Sequence, residues 1–261
     1  MSLTSEQIAF RKTVLGGSDA NILMSGDNEK IFRLWQEKRG EKEHEDLSDV
    51  LPVQMGIWTE AFNRTWFTKT TGRNVLAAGD QRICLDHPFM GCTLDGLTDG
   101  GDAVWEAKHV SAFWKDEEVI QKYIPQLTHN MIVCDVKKAV LSVFFGNHKH
   151  SVFEFELDLG YAEELIAVEE QFWDCVLEGM EPVIRAVKYE GPVEKKIDMT
   201  GNNEWADLAA TFSANKEAAG KFDKAKEGIK KLVPDDAVEA FGHGISAKRS
   251  KTGSLTIKET K

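Results

Sequence analysis

Up to residue 71 the apolar positions recur every three or four residues, and the elements they predict are helices. Ser5 to Thr13 reads as a short helix. The Gly16-Gly17 turn follows, and Ser18-Asp19 opens a second helix through Leu23, where Ser or Asp is a good N-cap. Lys30 to Lys38 places Ile31, Leu34 and Trp35 on one face. After a charged loop from Gly40 to Asp49, Val53 to Thr71 predicts a long helix whose Ile57, Trp58, Ala61, Phe62, Trp66 and Phe67 form its apolar face. The period then shortens. Arg82 to His87, Met90 to Asp95 and Ala103 to Val110 read as three strands, with turns at His87-Pro88 and Asp99-Gly100-Gly101-Asp102. Ala112 to Glu118 and Tyr123 to Cys134 read as helices, Ala139 to Phe145 and Val152 to Leu157 as a hairpin around Gly146-Asn147, and Tyr161 to Gly179 as a helix. This order implies an α/β (α+β) domain, a mixed central sheet flanked by helices.

Beyond Pro182 the pattern loosens. The chain divides into a domain over residues 1–183, a linker over 184–201, and a C-terminal helical appendage with a basic tail over 202–261. The appendage begins at Asn202-Asn203-Glu204. Trp205, Leu208, Phe212, Ala219, Phe222 and Ile229 then recur at three and four, a narrow heptad-like stripe suited to a partner helix or to the main domain. Residues 240–261 read as a solvated tail, with Leu255-Thr256-Ile257 as a short strand within it.

The candidate chemistry lies in the central strands. Asp95 ends the apolar run Met90-Gly91-Cys92-Thr93-Leu94. Glu106 and Lys108 stand two apart on the next run and so share one face of a strand, with Ala107 on the other. If the two runs pair, Asp95 reaches the same spot. Two carboxylates beside an ammonium form a site for a hard divalent cation, the minimum for metal-assisted phosphodiester hydrolysis. The competing reading is a solvated charged face. Val104, Trp105 and Ala107 weigh against it, because an apolar strand hides its polar side chains only when they are partnered. Gly96 allows close approach beside Asp95.

Composition narrows the picture further. At 261 residues the chain holds one sizeable domain plus an appendage. Its formal net charge of −11 argues against coating nucleic acid by bulk attraction, but not against meeting it in a narrow, locally basic channel. Cys84, Cys92, Cys134 and Cys175 form no CxxC pair and read as small buried hydrophobes in a reducing compartment. No apolar run approaches the roughly 18 residues that span a bilayer, and Met1 to Lys12 holds no signal-peptide core; a cytoplasmic protein with no membrane partner is expected.

The combined motifs resemble the YqaJ-type viral recombinases, relatives of phage lambda exonuclease in the PD-(D/E)xK nuclease superfamily. The likeness runs through Arg11 with Leu15-Gly16-Gly17-Ser18-Asp19, then Leu34-Trp35-x-x-Lys38-x-Gly40, Met55-Gly56-x-x-x-Glu60, Thr93-Leu94-Asp95-Gly96, Trp105-Glu106-Ala107-Lys108 and Pro125-Gln126. Glu170-x-Phe172-Trp173-x-x-Val176-Leu177-x-Gly179 closes it, so that it covers roughly residues 8–183. Glu204 to Leu208 and Lys251 to Leu255 resemble an appendage of longer members. Thr128 stands where the family often has a second Gln, and Thr93-Leu94 replaces the usual Pro near the first acid.

The resemblance implies a restriction-endonuclease-like fold. It also implies one or two Mg²⁺ or Mn²⁺ ions on Asp95, Glu106 and the Ala107 carbonyl, with Glu60 completing the acidic cluster. Lys108 would orient or help deprotonate the attacking water, and Gln126 would position water or the substrate phosphate. Arg11 and Ser18 would bind a 5′-phosphate. The implied activity is 5′-to-3′ degradation of duplex DNA ends by a ring trimer in a bacterial host, phage or prophage encoded, feeding a single-strand annealing recombinase. A structure-specific or single-strand nuclease on the same core is the alternative, and a non-catalytic DNA-end binding protein a further one. Among the histidines, His129 lies one turn from the Gln126 face, within possible reach of the site, and His148 and His150 read as solvated.

Overall fold

A computed structural model describes residues 5–192, 194–197, 199–250 and 252–260. It divides into two compact units, Met1–Asp198 and Met199–Lys261.

The first unit opens with four helices, α1 (Ser5–Thr13), α2 (Gly17–Leu23), α3 (Asn28–Lys38) and α4 (Leu51–Thr71). A small antiparallel pair follows, β1 (Gln81–Ile83) and β2 (Gly91–Thr93). The main sheet comprises β3 (Gly96–Thr98), β4 (Ala103–Val110), β5 (Lys138–Phe145), β6 (Lys149–Glu156) and β7 (Glu194–Ile197), in that spatial order. Only β4 and β5 are parallel; the other neighbours are antiparallel. A parallel pair needs a long crossover, and α5 (Asp116–Cys134) supplies it. Helix α6 (Leu159–Glu178) follows β6.

Alternation along β4 sets the two faces of the sheet. Val104 joins a core built with Ile124, Leu127 and Met131 of α5. Trp105 and Ala107 join a second core with Phe67 of α4 and Val140 and Val152 of the neighbouring strands. By the same alternation Glu106 and Lys108 look toward α5.

Four expectations need correction. Helix α4 buries only the end of its apolar stripe, at Phe67: Trp58 is 77% exposed and Phe62 56% exposed, while polar Asn63 is buried. Asn63 enters because Ser142 satisfies it, its Nδ2 donating to the Ser142 carbonyl at 3.0 Å and its Oδ1 accepting from Ser142 Oγ at 2.5 Å. That polar pair sets which side of α4 meets the sheet. The helix expected from Ala112 does not begin until Asp116, where Glu118 accepts from the Lys115 N–H at 2.8 Å, and one helix then runs through Pro125 to Cys134.

The linker over 184–201 is not one throughout, because Glu194–Ile197 is an edge strand paired with β6. Ahead of it Ile184 and Tyr189 are buried, Tyr189 edge-on to Tyr161 at 5.2 Å. Val193 and Asp198 of that stretch lie outside the described residues, as does Lys251 of the appendage motif.

Residues 240–261 are not a frayed tail. The second unit holds α7 (Asn203–Leu232) and an antiparallel sheet of β8 (Glu239–Gly242), β9 (Ile245–Arg249) and β10 (Leu255–Glu259). Ala247, 1% exposed, sits at the sheet's centre. No helix among the described residues is long and apolar enough to cross a membrane.

Candidate active site

The site assembles where β3, β4, α5 and α2 meet. Gly96 pairs with Trp105, which brings Asp95, one residue ahead, opposite Glu106. A Cβ on Gly96 would come within 2.1 Å of Val75, so only glycine lets this strand start here. Asp95 Oδ2 accepts from the Ala107 N–H at 3.0 Å. Glu106 Oε1 accepts from Lys108 Nζ and from Gln126 Nε2, both at 2.6 Å, and Oε2 accepts from Asn130 Nδ2 at 3.3 Å. Asn21 of α2 grips Gln126 twice, Nδ2 donating to Gln126 Oε1 at 3.1 Å and Oδ1 accepting from the Gln126 N–H at 3.0 Å. This close docking needs Gly17, where a Cβ would lie 2.5 Å from Asn130 Oδ1 and 2.9 Å from Gln126 Cγ.

The electrostatics follow from burial. Glu106 is nearly inaccessible, and its pKa is pushed up to about 8 by desolvation and by the Asp95 carboxylate, against the pull of Lys108. Burial works against the Lys108 charge too, but Glu106 and Asp95 outweigh it and hold Lys108 as an ammonium. Lys108 also lies over the Tyr123 ring at 5.1 Å. Glu60, on α4, is held above the usual carboxylate range by partial burial and by Asp95, while Arg64 at 3.0 Å partly offsets this.

Among the described residues no three of His, Cys, Asp or Glu stand ready as a metal cage. The donor set nonetheless fits a hard cation. A strand residue's N–H and C=O leave on the same side, so the Ala107 carbonyl emerges beside Asp95, past the last β3–β4 pair at Trp105. Asp95 and Glu106 add carboxylate oxygens. Their mutual repulsion, which raises Glu106, is what a bound divalent ion relieves.

Arg11 and Ser18 lie together, Nη2 to Oγ at 3.3 Å. Ser18 does not cap α2. Gly16 is the N-cap, and Asp19 accepts its N–H at 2.9 Å. Burial opposes the Asp19 charge, but Lys38 at 2.6 Å and the Gly16 N–H hold its pKa below the ordinary value. Lys38 also donates to the carbonyls of Arg11 and Val14, at 2.6 and 2.7 Å, fixing the turn between α1 and α2.

Asp95, Glu106, Ala107, Lys108 and Gln126 are therefore brought together directly, and Glu60 is coupled to them through charge. Arg11 and Ser18 connect through α2, which carries Asn21. His129 does not reach the site. It is fully buried, its Nδ1 on Glu169 at 2.9 Å and its Nε2 on the Gly91 carbonyl at 2.9 Å. His150 is not simply solvated either, its Nε2 lying 2.8 Å from Ser142 Oγ. Asn130 and Asn21 escaped the sequence reading. Asn130 had a signal, falling four residues after Gln126 on the same helix face. Asn21 had none, lying 105 residues from its partner.

The model of the YqaJ-like viral recombinase domain matches residues 7–137. The chain belongs to this family. Beside that match, the YqaJ-like chain is 30% identical over 239 residues to the uncharacterized protein YqaJ of Bacillus subtilis (strain 168), spanning 87% of this chain and 73% of that one. Among solved structures it is similar to an alkaline exonuclease, LHK-Exo, from Laribacter hongkongensis, with a TM-score of 0.57 at 17% identity over 67% of this chain and 94% of that one. LHK-Exo in complex with dAMP matches equally. A phage related exonuclease from Haemophilus somnus 129PT gives a TM-score of 0.50 at 11% identity, over 64% of this chain and 96% of that one. The YqaJ-like fold thus has the mixed sheet and flanking helices of the restriction-endonuclease-like class.

Proposed function

We propose that this YqaJ-like chain is a Mg²⁺- or Mn²⁺-dependent deoxyribonuclease that degrades linear duplex DNA from 5′ ends and leaves a single strand for phage-type recombination. The observation that carries the reading is the buried Glu106 carboxylate, held by Lys108 and Gln126 at 2.6 Å with Asp95 beside it. The likeness of its fold to an alkaline exonuclease and a phage related exonuclease supports it.

Asp95, Glu106 and the Ala107 carbonyl would hold the cation, with Glu60 as a more distant or water-mediated ligand. Such an ion would supply Lewis-acid chemistry toward a scissile phosphate at these oxygens. Lys108, held as an ammonium, orients the attacking water and offsets charge on the phosphorus centre rather than acting as the first base. Gln126, with both amide atoms engaged, keeps Glu106 in its rotamer. Arg11 and Ser18, in contact with each other, would receive the 5′-phosphate through the guanidinium and the hydroxyl. A ring trimer would keep an acidic chain on its substrate by topology, and a single-strand annealing recombinase would take the product.

The test is digestion of linear duplex DNA with Mg²⁺, comparing 5′-phosphate and 5′-hydroxyl ends, with Glu106→Gln as control. Faster loss of the 5′-phosphorylated strand, abolished by the substitution, supports the full reading. Cutting of circular DNA, or no preference for the phosphate, keeps the nuclease and removes the end-directed part. Unchanged cleavage by Glu106→Gln would remove the site.

A further inference from the structure

Helix α7 is 30 residues long and buries none of them among the described residues. At 1.5 Å per residue it spans about 45 Å. Its large apolar side chains stand open: Trp205 is 56% exposed, Leu208 62%, Phe212 72% and Phe222 66%. They follow one heptad register, in which 205, 212, 219 and 226 alternate with 208, 215, 222 and 229. A helix that leaves such a seam open needs a second surface to cover it.

Charge selects the occupant. The N-terminal half carries Glu204 and Asp207 and no base before Lys216. The C-terminal half carries Lys221, Lys224, Lys226, Lys230 and Lys231 against Asp223 and Glu227. A second α7 running antiparallel sets each acidic half beside a basic one. A parallel copy would instead stack basic on basic and place Lys226 against its own image within the seam. The seam also pairs end for end, with Leu208 against the aliphatic stem of the partner's Lys226. About a two-fold axis at Glu217, Phe212 meets the partner's Phe222, Trp205 meets the partner's Ile229, and Lys230 meets the partner's Glu204. Polar Asn215 falls opposite the partner's Ala219, where Ala and nearby Gly220 let the backbones approach.

We propose that α7 is a self-association helix, pairing antiparallel and isologously with α7 of a second copy of this chain. The pairing doubles whatever assembly the first unit forms alone.

The test uses the full chain. Light-scattering mass at micromolar concentration is compared with that of Phe212→Glu/Phe222→Glu, both exposed positions where the change leaves the fold intact by circular dichroism. The expected result is a mass halved by the double variant; equal masses would overturn the proposal. Orientation is read by cysteine cross-linking, with the wild-type chain as background for its own cysteines. An equimolar mixture of Leu208→Cys and Lys226→Cys chains should give a disulfide-linked pair between the two variants. Cross-linking of Leu208→Cys with itself, and none in the mixture beyond that, would mean a parallel pair and reject the antiparallel assignment.

Discussion

Glu106 is a carboxyl almost wholly withdrawn from water beside a second acid. Its carboxyl titrates at about 8 against an ordinary 4.5, so between those values the folded chain keeps a proton that the unfolded chain has lost. Stability supplied by this group is therefore complete below about pH 4.5 and falls as pH rises toward 8, by about 1.4 kcal/mol per pH unit at most. Thermal melts of the metal-free chain should show that decline, and Glu106→Gln should flatten it and raise the melting temperature at pH 8. Mg²⁺ should stabilise the wild type at pH 8 and not the Gln variant. A decline unchanged by Glu106→Gln would place its origin elsewhere. Gln126→Ala should cost about 10–100-fold in activity while leaving the melting temperature within a few degrees, since it loosens Glu106 rather than a core. The Asp95, Glu106 and Lys108 cluster was legible in the sequence, because strand periodicity puts Glu106 and Lys108 on one face, pairing of the two apolar runs adds Asp95, and the family resemblance supplies Gln126. Asn21 was not, because a contact across 105 residues leaves no local trace.

At the scale of elements, the site depends on how α5 is clamped. His129 faces the Glu169 carboxylate of α6 with one ring nitrogen and the Gly91 carbonyl of β2 with the other. A carboxylate on one side and a carbonyl on the other favour a ring that donates from both nitrogens, the charged form. Burial opposes that charge, but Glu169 prevails and raises the pKa above the ordinary 6.5. The clamp's stability is thus fully present below about pH 6.5 and is lost as pH rises through the elevated folded value. His129→Ala leaves Glu169 buried and unpaired, and should cost about 3–5 kcal/mol in urea titrations at pH 6. A cost below 1 kcal/mol there would contradict the ion pair. Where α2 meets α5, Gly17→Ala should push α2 away, because its Cβ has no room beside Asn130 and Gln126. About 1–3 kcal/mol of stability should go with it, and activity should fall further than that loss alone explains. Element types were legible because helical and strand periods differ. The packed face of α4 was not, because the sequence pattern favours Trp58 and Phe62, while the fold buries Asn63 through its bonds to Ser142.

At the scale of the molecule, the boundary matters more than composition suggested. A break near Pro182 follows from the polar, mixed stretch after it, yet the first compact unit continues to Asp198. The reason is an edge strand, β7, whose alternation is too short to announce itself, and a buried anchor, Tyr189. Gln121 of α5 donates to the Tyr189 carbonyl at 2.9 Å, so the segment after Pro182 is tied to the same helix that holds Glu106. Two truncations should therefore behave differently. A chain ending at Pro182 loses Tyr189, the Gln121 acceptor and the β6 partner, and should be strongly destabilised or insoluble. A chain ending at Asp198 keeps all three. It should fold, melt within a few degrees of the full chain and retain Glu106-dependent cleavage of DNA, while its number of copies per assembly, if α7 pairs copies, should be half that of the full chain. A chain ending at Asp198 that folds but has no activity would instead assign residues 199–261 a direct part in meeting DNA.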